Sequence, residues 1–241
     1  MRTQISIILL FLALITPFLS VSAQMNDAND AMERGKDFFN RGQYEMAIFE
    51  YRVALNWPGS HQARAQFNIG VCRYRLGRPR EAVDEYSAAI KLSEGKYPSA
   101  SYAMGLALQD LRRYQEAHEA FAQAVKVSGG KHSGALFELA LESQRSGDDR
   151  AAVEHYRQAI EQSRGGIPAC HNNLGVILAK AGLLEEATRE FEVAVRQSRG
   201  KFVEASQNLA RCRQMLNAPS PGMIASLKIV EGAPGARMTT E

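Results

Sequence analysis

The stretch PACHNNLGVILAKAGLLEEATREFEVAVRQSRG, residues 168–200, contains two apolar patterns separated by a glycine. In the first pattern, apolar residues follow helical spacing up to Gly182: Leu174, Leu178 and Ala181. In the second, four residues share one helix face: Ala187, Phe191, Ala194 and Val195. Apolar residues at these intervals are typical of amphipathic helices. The stretch therefore predicts a helix–turn–helix unit that buries one face of each helix.

The same pattern occurs five times, at an interval of 35 residues. An alanine marks each copy: Ala47, Ala82, Ala117, Ala152 and Ala187. An aromatic residue follows each alanine by four: Tyr51, Tyr86, Phe121, Tyr156 and Phe191. A small residue precedes each alanine by twelve: Gly35, Gly70, Gly105, Ala140 and Gly175. Self-similarity at a fixed period of this length is typical of repeat proteins.

This combination of residues resembles the tetratricopeptide repeat, a helix–turn–helix unit. In that family a small residue lies within the first helix, and alanine, aromatic and alanine lie on the second. The family's turn glycine is present in four copies and replaced by Arg112 in the third: Gly42, Gly77, Gly147 and Gly182. The resemblance implies an all-α fold, a right-handed superhelical solenoid of antiparallel helix pairs.

The repeats divide the chain into three parts. We predict a signal peptide over 1–23, a solenoid over 24–217 and a flexible tail over 218–241. The predicted repeats and the capping helix span about 28–60, 63–97, 98–132, 133–167, 168–202 and 203–217. The last of these is polar on its remaining faces, as expected of a helix that covers the end of a solenoid.

The N-terminal residues have the pattern of a secretory signal peptide. Arg2 precedes an apolar run over 5–15, and Val21 and Ala23 are the small residues expected before a cleavage site. We therefore expect export, to the periplasm in a Gram-negative source and otherwise to a secreted or luminal location. The alternative is that residues 1–23 stay uncleaved and anchor the protein in the membrane. We expect no other membrane attachment.

The predicted tail carries a short apolar segment over 223–230, between two stretches rich in glycine and proline. One interpretation is disorder with incidental apolar residues. The other is that the segment docks as an extended strand, either on the solenoid or on a partner.

No pattern in the chain indicates catalysis or a cofactor. The five histidines lack metal-ligand spacing, and neither a phosphate-binding loop nor a nucleophile elbow is present. The net charge is +3, with acidic and basic residues interleaved, so no basic stripe favours nucleic acid. The three cysteines are expected to be small buried residues: Cys72, Cys170 and Cys212. We predict a non-enzymatic protein without a small-molecule substrate, cofactor or metal.

The resemblance implies that a protein or peptide partner binds in a concave groove lined by the first helix of each repeat. Carrying the repeat positions across gives an apolar groove: Phe67, Val71, Tyr74, Tyr102, Leu106, Phe137, Leu141, Asn172 and Val176. An alternative is that tight curvature buries these side chains between helices. The carboxylate clamp of some family members does not carry over, because only Asn68 matches it.

The sequence thus predicts an exported scaffold that binds a peptide or helix in an apolar concave groove. The alternative function is an accessory subunit of an envelope enzyme or of a polysaccharide-export or secretion complex. Such a subunit would dock by its convex face.

Overall fold

The computed structural model describes residues 27–164, 166–218 and 221–231, and within these ranges every regular element is a helix. The prediction of an all-α fold is confirmed. The predicted signal peptide and residues 232–241 of the predicted tail lie outside the described residues, so both remain predictions.

The described residues form twelve helices. They are α1 (27–40), α2 (Tyr44–Leu55), α3 (His61–Arg75), α4 (Pro79–Leu92), α5 (Pro98–Asp110), α6 (Tyr114–Val127), α7 (Ser133–Arg145), α8 (Asp149–Gln162), α9 (Pro168–Lys180), α10 (Leu184–Gln197), α11 (Val203–Asn217) and α12 (Pro221–Ile224). Odd-numbered helices from α1 to α9 begin a repeat, and α11 is the capping helix at the equivalent position. All six are called first-type helices. Even-numbered helices from α2 to α10 complete a repeat and are called second-type helices.

The helices belong to two compact units. Unit 1 contains α1 to α5, and unit 2 contains α6 to α12 together with the segment up to residue 231. In unit 1, α3 packs on α2, α4 and α5. In unit 2, each helix from α6 to α10 packs on the next one, and α9 also contacts α11. Short connections between neighbouring helices favour this arrangement.

The aromatic residue of the repeat packs directly on its small residue. A methyl group added at Gly35 would lie 2.5 Å from the Tyr51 ring, and one added at Gly70 would lie 2.6 Å from the Tyr86 ring. In unit 2 the corresponding distance from Gly175 to Phe191 is 2.8 Å. The three rings are fully buried. The glycines are therefore needed because the ring of the second helix occupies the space of a side chain on the first.

The turn within each repeat requires a left-handed residue. Gly77 has a φ of 72° and its N–H donates to the carbonyl of Tyr74. Arg112, which departs from the family's turn glycine, has a φ of 59° and donates to the carbonyl of Gln109. The third repeat thus keeps the turn geometry without the residue that best tolerates it.

The three cysteine side chains are buried, as the sequence predicts. Burial raises the pKa of the Cys72 thiol to about 12, so the group stays protonated near neutral pH. Burial also raises the pKa of Cys170 and Cys212. These cysteines are core residues, and their environment gives no sign of an activated nucleophile.

Within the part of the chain that the structure describes, no helix combines the length and the apolar character needed to cross a membrane.

We predict that Gly70→Leu destabilises unit 1 by about 1–3 kcal/mol, because the new side chain must displace the buried Tyr86 ring. Gly70→Ala should have a smaller effect, since Ala140 occupies the same repeat position in unit 2 and is accommodated there. The measurement is thermal and urea unfolding followed by circular dichroism.

The matched control is Ser87→Leu, which places the same side chain on the exposed side of α4. This substitution should change the unfolding free energy by less than about 0.5 kcal/mol. Equal unfolding curves for Gly70→Leu and Ser87→Leu would contradict the packing role assigned to the glycine.

Candidate functional site

The structure buries most of the apolar groove predicted from the sequence. Five of the nine residues lie within the core of their own unit and expose at most 4% of their surface: Phe67, Val71, Phe137, Leu141 and Val176. Their burial agrees with the alternative in which close packing takes these side chains between helices. Their partner-binding role stays a prediction, and their observed contacts are those of core residues.

In unit 1, Tyr74, Tyr102 and Leu106 are half-buried. The Tyr74 hydroxyl on α3 donates to Oδ2 of Asp110, at the end of α5, at 2.6 Å. Burial raises the pKa of Tyr74, and the bond to Asp110 raises it further, so the phenol remains a hydrogen-bond donor. These three residues are the members of the predicted groove in unit 1 that remain within reach of a partner.

In unit 2, Asn172 belongs to a buried group that we call the asparagine cluster: Asn172, Asn173 and Asn208. Nδ2 of Asn208 donates to Oδ1 of Asn172 at 2.9 Å, and Nδ2 of Asn172 donates to Oδ1 of Asn173 at 3.0 Å. Asn173 and Asn208 are 35 residues apart, so they occupy the same repeat position on α9 and α11. Each of the three side chains is 0% exposed.

The asparagine cluster binds the backbone of the chain's own C-terminal segment. Asn208 accepts the N–H of Lys228 at 2.9 Å and donates to the Lys228 carbonyl at 2.8 Å. Asn173 makes the same pair of bonds to Val230, each at 3.0 Å. Asn172 donates a further bond to the Lys228 carbonyl at 3.1 Å. Five hydrogen bonds thus fix two alternate residues of the segment.

Side chains at both ends of the segment add further contacts. Met223, Ile224 and Leu227 are partly buried against the hydrophobic core of unit 2. After the bound residues, Glu231 lies 3.3 Å from the Arg145 guanidinium. Both side chains of this ion pair are exposed, so it contributes little to stability. These contacts agree with the alternative that the segment docks on the protein as an extended strand, whereas the flexibility of the whole tail stays a prediction.

A hydrogen bond to a tyrosine fixes the orientation of the Asn173 amide. Asn173 donates to the Tyr156 hydroxyl at 3.0 Å, and that hydroxyl donates to Oε1 of Gln144 at 2.9 Å. Burial raises the pKa of Tyr156, which keeps its hydroxyl in the donating form. Because Tyr156 uses one amide hydrogen of Asn173, the other hydrogen and the amide oxygen are directed to Val230.

The geometry of the asparagine cluster suits binding of a polypeptide backbone. Within the described ranges, no group of three or more His, Cys, Asp or Glu side chains is placed to hold a metal ion. The buried His171 bonds to Glu190 at 2.7 Å and lies 3.3 Å from Gln197, contacts that join α9 to α10. What the site offers chemically is a row of amide groups that can both donate and accept.

The sequence identified Asn172 as a groove residue but missed Asn173 and Asn208. The available signal was the recurrence of asparagine at one repeat position, which also includes Asn68 in the second repeat. A polar residue at that position among apolar neighbours predicts a hydrogen-bonding role, since a buried amide needs partners.

We predict that Tyr156→Phe destabilises unit 2 by about 1–3 kcal/mol, because it leaves buried groups of Asn173 and Gln144 without a partner. Phenylalanine itself fits this position, since Phe191 occupies it in the fifth repeat. Tyr114→Phe is the control, because the Tyr114 ring is exposed. Chemical unfolding measures both, and equal midpoints would mean that the Tyr156 hydroxyl bonds add no stability.

Comparison with known proteins supports the repeat architecture. The model of the tetratricopeptide repeat family matches residues 32–100, 102–141 and 137–201, which together make up more than half of the chain. No curated protein sequence matches the chain.

Several solved structures are similar in fold. The Pseudomonas aeruginosa PilF structure has a TM-score of 0.65 and 19% identity, covering 85% of this chain and 97% of that one. A MamA crystal structure has a TM-score of 0.57 and 21% identity, covering 73% and 93%. MamA from Desulfovibrio magneticus RS-1 has a TM-score of 0.57 and 18% identity, covering 73% and 97%. At these identities the likeness concerns the fold alone.

The helix pairs, the glycine–aromatic contacts and the extent of the family match lead to one conclusion. The chain belongs to the tetratricopeptide repeat family, whose members serve as protein-interaction scaffolds.

Proposed function

We propose that the protein is an exported, non-enzymatic scaffold that binds an extended peptide segment of a protein partner on its first-type helices. The family supports a protein-binding role. The observation that carries the proposal is the position of the C-terminal segment, which lies on α9 and α11 with its backbone bonded to asparagine side chains. A surface that binds an extended chain in this way is suited to binding one from a partner.

The contact residues that we assign to unit 1 are those that remain half-buried on α3 and α5: Tyr74, Tyr102 and Leu106. Tyrosine is among the residues enriched where a few side chains carry most of the binding energy of an interface. The buried groove members of unit 1, Phe67 and Val71, belong to the hydrophobic cluster against which Tyr74 and Leu106 pack. In unit 2 the contact residues are those of the asparagine cluster.

The second candidate is docking by the outer side of the second-type helices, as an accessory subunit would use. One observation favours it. Met46 and Phe49 lie three residues apart on α2 and are 48% and 60% exposed. Residues at this spacing are neighbours on one helix face, and exposed apolar pairs often mark contact surfaces.

Site-specific photocrosslinking distinguishes the two candidates. A photoreactive phenylalanine analogue at Tyr102 or Leu106 should crosslink to a partner in the native envelope fraction. The same analogue at Met46 or Phe49 should not, and Ser87 on α4 provides an exposed control. Mass spectrometry of the adducts identifies the partner and the crosslinked peptide. Adducts formed only at Met46 and Phe49 would establish the second candidate instead.

Export rests on the sequence of residues 1–23, with small residues at the expected cleavage site. We expect the mature protein to begin at Gln24, and Ala23→Leu to abolish cleavage because a large side chain does not fit the processing site. Intact mass and cell fractionation measure this, with Gln24→Leu as the control outside the small-residue positions. A mature protein that retains Met1 in the membrane fraction would support the anchor, and one in the cytosol would overturn export.

A further inference from the structure

We propose that Asn173 and Asn208 form a binding site for the backbone of an extended peptide, and that the C-terminal segment occupies it as an internal ligand. A partner's peptide must then displace residues 227–231 in order to bind in unit 2. This inference rests on the proposed function and deepens it, since it specifies the chemistry of the ligand and a competitor within the chain.

The pattern of hydrogen bonds defines the conformation of the ligand. Both backbone groups of Lys228 bond to asparagine, and so do both backbone groups of Val230. In an extended chain the N–H and C=O of one residue point to the same side, and those of the next residue point to the other. Ile229, between them, therefore directs its backbone groups away from the two asparagines.

The repeat period explains why two equivalent asparagines can act together. One repeat separates Asn173 from Asn208, so α9 and α11 present the same amide in the same orientation. Alternate residues of an extended chain are about 6.6 Å apart, which two converging side chains on neighbouring first-type helices can span. α9 and α11 therefore each bind one of two alternate residues of the ligand.

Binding through the backbone makes the site tolerant of the side chains it accepts. The Lys228 side chain is exposed, and Ile229 is 38% exposed. The amides of the cluster donate and accept, as the second strand of a sheet does for its neighbour. The requirement at the two bound positions is a backbone N–H, which excludes proline there.

The contacts on either side define the rest of the ligand. Leu227, immediately before the first bound residue, is partly buried against the core of unit 2. Glu231, immediately after the second, pairs with Arg145. The ligand is thus an extended segment of five residues. An aliphatic residue comes first and an acidic residue last, and of the three between them the first and third bind through their backbone.

The internal segment and a partner's peptide compete for the same buried asparagines. Each amide is fully used when the segment is bound, through its neighbours in the cluster, Tyr156 and the backbone of the segment. A ligand that failed to replace the backbone groups would leave desolvated amides unpaired, which is unfavourable. A tethered segment has an effective concentration in the millimolar range, so it opposes a free peptide strongly.

The test uses the full chain and a fluorescein-labelled peptide of residues 222–231, GMIASLKIVE. Val230→Pro and Lys228→Pro remove an N–H that donates to the asparagines, so both should release the internal segment. The matched control is Ile229→Pro, since the Ile229 N–H makes no bond to the cluster and proline favours an extended residue before it. Fluorescence polarisation measures the affinity of each variant for the peptide.

We expect Val230→Pro and Lys228→Pro to bind the peptide about tenfold or more tightly than wild type, the factor for a site more than about 90% occupied. Ile229→Pro should resemble wild type. Adding Asn173→Ala to Val230→Pro should abolish the gain. A second measurement changes only the peptide. Proline at the peptide position of Lys228 or of Val230 should weaken binding to the Val230→Pro protein. Proline at the position of Ile229 should not.

Equal affinity in wild type and all three proline variants would overturn the internal-ligand role. No peptide binding to a folded Val230→Pro protein, or equal weakening by proline at all three peptide positions, would overturn the backbone site. Failure here together with partner crosslinks at Tyr102 or Leu106 would overturn this inference alone. Loss of those crosslinks would instead count against the proposed function.

Discussion

The contact between a glycine on one helix and an aromatic ring on the next is the constraint on which the rest of the structure depends. Where Gly70 meets Tyr86, or Gly175 meets Phe191, the ring fills the volume that any larger side chain would need. This brings the helices of a repeat close enough to bury both apolar faces. Alanines one turn before and one turn after each ring lie on the same helix face, and their side chains are fully buried as well. A short sequence pattern therefore specifies the separation of two helices.

Repetition of that contact gives equivalent positions on successive first-type helices. Asn173 and Asn208 gain their function from this equivalence, because each presents an amide to the same side. One asparagine in such a core would be costly, since a buried amide needs partners on every polar atom. Two of them, joined through Asn172, form a network that is completed by a peptide backbone. The same regularity that builds the core thus also builds a binding site.

The occupant of that site gives the proposed scaffold a means of control. A segment tethered in cis makes the surface selective without raising its intrinsic affinity, because only a peptide that can replace the same backbone bonds competes. The aliphatic residue that precedes the bound positions would then discriminate among extended chains that all offer suitable backbone groups. A scaffold regulated in this way binds a partner whose peptide is concentrated enough to displace the segment, and otherwise keeps its buried amides hydrogen-bonded.

The sequence alone determined the repeat, the two helices in each repeat and the left-handed turns, because these depend on residue spacing and local conformational preference. It even located Arg112 as the turn that lacks its glycine. It did not distinguish a groove from a core: Phe67, Val71, Phe137, Leu141 and Val176 have the right spacing for either, and only the packing of neighbouring helices decides their burial. Nor did it place the segment over 223–230, for which two interpretations remained. The contacts of Lys228 and Val230 with residues 20 to 57 positions earlier arise from tertiary structure, where backbone groups meet amides that the linear pattern leaves far apart.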